Sequence, residues 1–426
     1  MPDFLDDCQF TRRDCLRLGL GTSLLGAAGW PAWAQDAVGK RPAAPKTVAG
    51  VVTMYNPGSH GDVIFNKLME GWKHDGGPGP ALKLVSLYID QPETSAFGIA
   101  TCKKYNVPIF DSIEKAITVG GQSIPVDAVL SVGEHGNYPL NDIGQQLYPR
   151  RRFMEEITAA FSKYGKVVPV FNDKHLGPVW TDAKWMYDRA RELKIPYMAG
   201  SSMPVGFRTA EIKLPLGSDI EGAVGIGYGG LEIYGFHALE FFQSHVERRR
   251  GAEKGVKAVR FLEGPALWQA IDQGAVSKVA LEAAWAAVPK QGQPDMRQDK
   301  EAGLFLFEYA DGLTGAVLYL GCASGTSIGI KLKGQAQPIA TAFDERTEPR
   351  YPHFAYLLKA IEKMIYTGRP TYPVERTLLT SGILDRALNS RARKGQRLET
   401  PELLFPYQPV AYPHAPHVDL LAAPVN

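Results

Sequence analysis

Four polar clusters each follow an apolar run, and their residue types suit chemistry. Tyr55-Asn56-Pro57-Gly58-Ser59-His60-Gly61-Asp62 comes after the run at 48–53, and Asp90-Gln91 after 82–89. Gly133-Glu134-His135-Gly136-Asn137-Tyr138 comes after 126–132, and Asn172-Asp173-Lys174-His175 after 167–171. Imidazole changes charge near neutral pH, and a desolvated lysine can donate to or stabilise a developing oxyanion. Such groups converging on one cleft suit acid–base work on a small ligand. Imidazole with carboxylate also suits a divalent metal such as Zn, Mn or Fe. His60, His135, His175 and His237 are then the ligand candidates, with Glu134 and Asp173 beside them. No tight His-x-x-x-His spacing supports a metal, so that set has to be assembled from separate loops. Each residue also has a plain structural reading: Asp and Asn at strand ends make turns, and histidines cap or pack.

The elements that must position these clusters follow from the pattern of apolar runs. Strands are expected at 48–53, 82–89, 107–110, 126–132, 167–171 and 195–199, with helices at 63–72, 96–105, 113–119, 152–164 and 181–193 between them. Apolar strands separated by helices argue a parallel sheet covered on both faces, a Rossmann-like doubly wound domain over 47–200. In such sheets ligands bind outside the carboxyl ends of the strands, where the four clusters fall. From 201 to 400 the texture changes to an α/β domain with a large, mostly antiparallel open sheet. Its strands are expected at 223–228, 256–262, 303–309, 314–319 and 326–332, with Asp311-Gly312 as a hairpin turn. Helices are expected there at 236–247, 276–287, 354–366 and 374–392, and a Pro-rich tail at 401–426 should wrap the surface.

The first 34 residues read as an export signal. Thr11-Arg12-Arg13-Asp14-Cys15-Leu16-Arg17 is a twin-arginine signature, and Ala32-Trp33-Ala34 is a small-x-small cleavage site before Gln35. A Pro/Ala-rich linker at 35–46 follows. With no second apolar stretch of spanning length, the expected location is the periplasm or outside the cell. That route carries folded proteins, which often hold a cofactor already. The chain has 47 basic and 45 acidic residues, a balance that gives no reason to expect nucleic acid or a membrane surface as partner. Cys102 and Cys322 are either one disulfide or two thiols, not a disulfide framework.

Several weak motifs then fall in a telling order: Val51-Val52-Thr53, Asp90, Val126-Asp127-Ala128-Val129-Leu130, Asp173-Lys174-His175, Gly235-Phe236-His237-Ala238-Leu239-Glu240, and the closing segment 360–370. In this order the chain resembles the glucose–fructose oxidoreductase / inositol dehydrogenase (Gfo/Idh/MocA) family over nearly its whole mature length. The resemblance implies Lys174 and His237 as catalytic residues, His237 as the base, and NAD or NADP as cofactor. It places the cofactor against Thr53, Tyr55, Gly58, Asp90, Gly133, Glu134, His135 and Asp173. A sugar or polyol substrate would meet His175, Tyr138, Ser201 and Ser202. Homo-oligomers formed through the open sheet are also implied.

The departures from the family pattern matter as much. Its glycine turn reads Thr53, Tyr55 and Gly58 here, with Tyr55 where a side chain should block close approach to a pyrophosphate. Its Glu-Lys-Pro reads Asp-Lys-His, its Thr-Pro loop reads Gly133-Glu134-His135, and Ile233 beside Glu232 replaces an acidic residue. Two alternatives therefore stand beside the oxidoreductase. One is a non-redox or metal-dependent carbohydrate enzyme of lyase, isomerase or hydrolase type; the other is a non-catalytic carbohydrate-binding protein. Tyr148-Pro149-Arg150-Arg151-Arg152 is a candidate anion clamp or a solvated helix start.

Overall fold

The computed structural model describes residues 44–416 and residue 421. The export signal, most of the linker and the end of the tail lie outside the described residues. The first sheet has six strands: β1 (Lys46–Val52), β2 (Leu82–Ile89), β3 (Ile109–Phe110), β4 (Ala128–Val132), β5 (Val170–Asp173) and β6 (Tyr197–Gly200). All pair in parallel, in the order β3-β2-β1-β4-β5-β6. The order reverses between β1 and β4, which opens a crevice at their carboxyl ends. Helices α1 (His60–Glu70), α2 (Ala96–Lys104), α3 (Ile113–Thr118), α4 (Arg150–Tyr164) and α5 (Trp180–Glu192) cover the two faces. Every residue of β4 is buried, as a sheet covered on both sides requires. At Gly50 an added Cβ would lie 2.5 Å from Leu87 Cδ1 and 2.9 Å from the Phe65 ring, so the glycine lets helix and sheet pack closely here.

The second sheet has seven strands: β7 (Ile220–Gly227), β8 (Val256–Glu263), β9 (Gly303–Tyr309), β10 (Thr314–Tyr319), β11 (Ser327–Leu332), β12 (Ile339–Ala342) and β13 (Leu398–Glu399). Only β7 and β10 pair in parallel; the other pairs are antiparallel. Edge strands β12 and β13 are too short to show alternation in sequence. One face is covered by α6 (Ile233–Val246) and by α10 (Glu375–Ala392). The other face is not bare, as an open sheet would suggest: α7 (Pro265–Asp272) and α8 (Lys278–Ala287) lie on it. Gly329 permits this, since a Cβ there would stand 2.1 Å from Ala280 O.

Helix α9 (His353–Thr367) runs back to the first sheet and brings Phe354 to the start of α1, 4.9 Å from the His60 ring. The tail wraps both units: Tyr407 OH donates to Glu247 at 2.8 Å and Ala415 N–H to Val205 O at 3.0 Å. Cys102 and Cys322 are free thiols. Among the described residues no helix is long and apolar enough to cross a membrane.

Candidate active site

A cavity of about 280 Å³ lies where the two sheets' ends meet, lined by Gly58, His60, Glu134, His135, Lys174, Ser202 and His237 among others. Strand β5 delivers its centre. Asn172 and Asp173 stay buried in the sheet beyond the apolar run, and the chain then breaks at Lys174 with φ +69°. Lys174 Nζ meets His237 Nε2 in a hydrogen bond and sits 3.4 Å from Glu134 Oε1. A lysine ion-paired in this way has only N–H groups to give, so His237 Nε2 accepts. His237 Nδ1–H then donates to Ser201 Oγ at 2.6 Å, and Ser201 Oγ also accepts the Met203 N–H at 3.1 Å. Burial, then the Lys174 charge, pushes His237 well below the ordinary histidine range, so the ring is neutral.

Glu134 anchors this couple from the end of β4. Arg150 donates to it at 2.7 Å from a fully buried position. A Cβ on Gly133 would stand 2.7 Å from Arg150 Cγ, which explains the glycine. Burial alone would raise the Glu134 carboxyl, but Lys174 and Arg150 outweigh it and hold the group well below the usual carboxylate range. Arg150 is thus a pin inside the protein, not an anion clamp. Arg151 pairs with Asp182 at 2.8 Å and Arg152 with Asp90.

Of the expected residues, Thr53, Tyr55, Asp90, Gly133, Tyr138, Asp173, His175 and Ser201 do not line the cleft: Asp173 and Ser201 stand behind its histidines, and three others turn elsewhere. His175 is buried against Arg150, with Nδ1–H donating to Gly177 O at 2.7 Å, so it is neither substrate contact nor metal ligand. Tyr138 turns its hydroxyl to Asp90 at 2.7 Å instead of toward the cleft. Tyr55 is fully buried; its ring stacks on Gly98, where a Cβ would lie 2.3 Å from it, and its hydroxyl donates to Asn66. The ring therefore turns away from the crevice and blocks nothing. Among the described residues no group of three or more His, Cys, Asp or Glu is placed to hold a metal ion. His60 gives Nδ1 to Asp173, and both ring nitrogens of His237 are engaged, by Lys174 and Ser201.

The nucleotide end shows how far the residues fit a dinucleotide. Gly58 has φ +77° with open space where a Cβ would stand, so a ligand can approach its backbone. Thr53 Oγ donates to Glu134 O and ties β1 to the loop after β4. The cleft runs from Gly58 past His135 to Lys174, which fits the reactive end of such a group. Farther out the protein uses its own groups. Asp62 accepts the Gly58 N–H at 2.8 Å and an Arg350 N–H at 2.9 Å. Asp90 accepts from Tyr88, Tyr138 and Arg152, and the Arg152 side chain keeps 42% exposure. A ribose could reach Asp90 only by displacing that partly exposed guanidinium.

Sequence reasoning missed the wall supplied by the second half of the chain: Tyr228, Tyr234, Glu345, Tyr351, His353 and Phe354. Single aromatic residues at chain turns carry no pattern. Only the Pro352-His353 start of a helix could have pointed there.

No family model and no curated sequence matches this chain. Its fold does match solved structures. GenD2 from gentamicin A biosynthesis, in complex with NAD, aligns with TM-score 0.55 and 13% identity, covering 85% of this chain and 98% of its own. Apo scyllo-inositol dehydrogenase from Lactobacillus casei gives TM-score 0.53 and 11% identity over 84% and 98%. A super-repressor mutant of Gal80p from Saccharomyces cerevisiae gives 0.52 and 11% over 85% and 100%. At these identities the likeness shows the two-domain fold alone; the function has to come from the site.

Proposed function

We propose that this chain is an exported oxidoreductase acting on a sugar, polyol or related carbohydrate, with Lys174 and His237 at the reacting centre. The observation that carries the reading is their hydrogen-bonded couple, a buried lysine against a half-buried histidine at the meeting of the two sheets. A substrate hydroxyl near Lys174 Nζ gains stabilisation as it becomes an alkoxide. Neutral His237, braced by Ser201, aims the lysine. The cavity of about 280 Å³ suits one sugar-sized ring, and Ser202, Tyr228, Tyr234 and Glu345 offer hydroxyl partners and aromatic faces.

The cofactor in this reading is NAD or NADP. Gly58, Asp90 and the Glu134–His135 backbone would hold it, and when bound it accepts hydride from the carbinol carbon. GenD2 was solved with NAD, and the likeness of fold supports the same class of cofactor here. Residues 47–200 then serve the nucleotide and 201–400 the substrate. The twin-arginine signature supports loading before export, since the periplasm lacks free nicotinamide nucleotide.

A non-redox carbohydrate enzyme is the second reading, favoured by the prior engagement of Asp62 and Asp90. Mass spectrometry of protein purified from the cytoplasm separates the two. Stoichiometric nucleotide, with reduced nicotinamide formed on adding myo-inositol or D-glucose, supports the oxidoreductase. Neither nucleotide nor reduction would leave the second reading.

A further inference from the structure

Asp173 and Lys174 are neighbours in sequence, yet each holds a different histidine. The left-handed backbone at Lys174, φ +69°, sends their side chains apart. Asp173 Oδ2 lies 2.6 Å from Nδ1 of His60, the first residue of α1. Lys174 meets His237 on α6. The couples differ in character. A carboxylate beside an imidazole balances the charge that a captured proton brings, whereas an ammonium repels it. His237 also has both ring nitrogens engaged, one by Lys174 and one by Ser201. His60 uses Nδ1–H on Asp173, which leaves Nε2 with its lone pair. Its side chain keeps 14% exposure, against 1% for Asp173, and it lines the cleft.

We propose that His60, held by Asp173, is the general base of this cleft, and that His237 is a positioning residue for Lys174. The substrate O–H bond breaks and its proton passes to His60 Nε2. The electron pair stays on oxygen, facing the Lys174 N–H groups, and Asp173 balances the imidazolium formed. This deepens the proposed function, on whose reading of the cleft it rests, by moving the base from the second unit to the first. A carboxylate that fixes the tautomer and orientation of a histidine base is a recurrent arrangement.

The test needs no substrate. The whole chain is treated with diethyl pyrocarbonate, which attacks a free imidazole lone pair, and the modified peptides are mapped by mass. His60 should react first among His60, His135, His237 and His353. Asp173→Asn should slow His60 by roughly tenfold, the scale typical of a residue that orients a histidine. His237 should react only after Lys174→Met frees its Nε2. The wild-type order of modification decides the matter even if a variant fails to fold. Modification of His237 before His60 in the wild type overturns the proposal, as does an unchanged His60 rate in folded Asp173→Asn. Since no sugar enters this experiment, a failed polyol screen and a failed base assignment are read separately.

Discussion

Asp90 and Asp173 both stand at the carboxyl end of a parallel strand, one after β2 and the other closing β5. Asp90 is surrounded by the protein's own donors, Tyr88, Tyr138 and Arg152. Nearby, Gln91 clips the loop after β4 through two hydrogen bonds of 2.9 Å with the Asn137 backbone. Asp173 holds a single imidazole, and that imidazole looks into the cleft. The same residue type in the same place in the topology therefore makes a clasp at one end and a poised couple at the other. The difference lies in what the following loop delivers: hydroxyls and a guanidinium at β2, a kinked lysine at β5. Changes at the clasp end should cost stability, and changes at the β5 end should cost rate.

Tyr55→Gly probes the clasp end hardest. The ring is fully buried against Phe65, Phe97 and Gly98. Removing it should cost about 3–5 kcal/mol, as aromatic truncations in cores do. Chemical denaturation measures this. An unchanged midpoint would mean that the end is not built as core.

Acid should act on neither aspartate but on two histidines of the cleft wall, His135 and His353. Burial, and then the neighbouring His60, lowers His135 from 6.5 to about 4 and His353 to about 3. The unfolded chain takes up these protons near pH 6.5 while the folded chain resists. Stability conferred by the neutral rings is full above that pH and is lost as pH falls toward 4, at about 1.4 kcal/mol for each unit of separation. Melting temperature should drop between pH 7 and pH 5. His135→Gln with His353→Gln should flatten that slope; an equal slope in the double variant would locate the acid sensitivity elsewhere.

Arg152→Ala gives the smallest effect and sharpens the comparison most. It frees one donor from Asp90. Calorimetric affinity for NAD should rise by roughly tenfold, about 1.4 kcal/mol, if the guanidinium competes with a ribose. Weaker binding would make Arg152 a nucleotide contact.

The two-sheet fold was legible because its strands are long apolar runs: 82–89, 303–309 and 314–319 coincide with β2, β9 and β10. Lys174, His237, Glu134 and His135 were legible as strand-end or helix-start polar residues, and they do line the cleft. Three other outcomes were hidden. Tyr55 depends on a rotamer and on Gly98 across the layer. His175 depends on Arg150 passing Gly133. The aromatic wall from Tyr228 to Phe354 depends on which chain segments return to the cleft. Each is a tertiary packing fact with no local periodicity.

The most direct test of the cleft is turnover and melting temperature of Lys174→Ala, measured together on a carbohydrate that the wild type converts. Removing a donor aimed at a developing oxyanion should lower turnover by about 100-fold or more. Glu134 keeps its Arg150 partner when the lysine is removed, so the fold should survive at a lowered melting temperature. Loss of the fold, with activity per folded molecule intact, would make Lys174 structural and contradict the account.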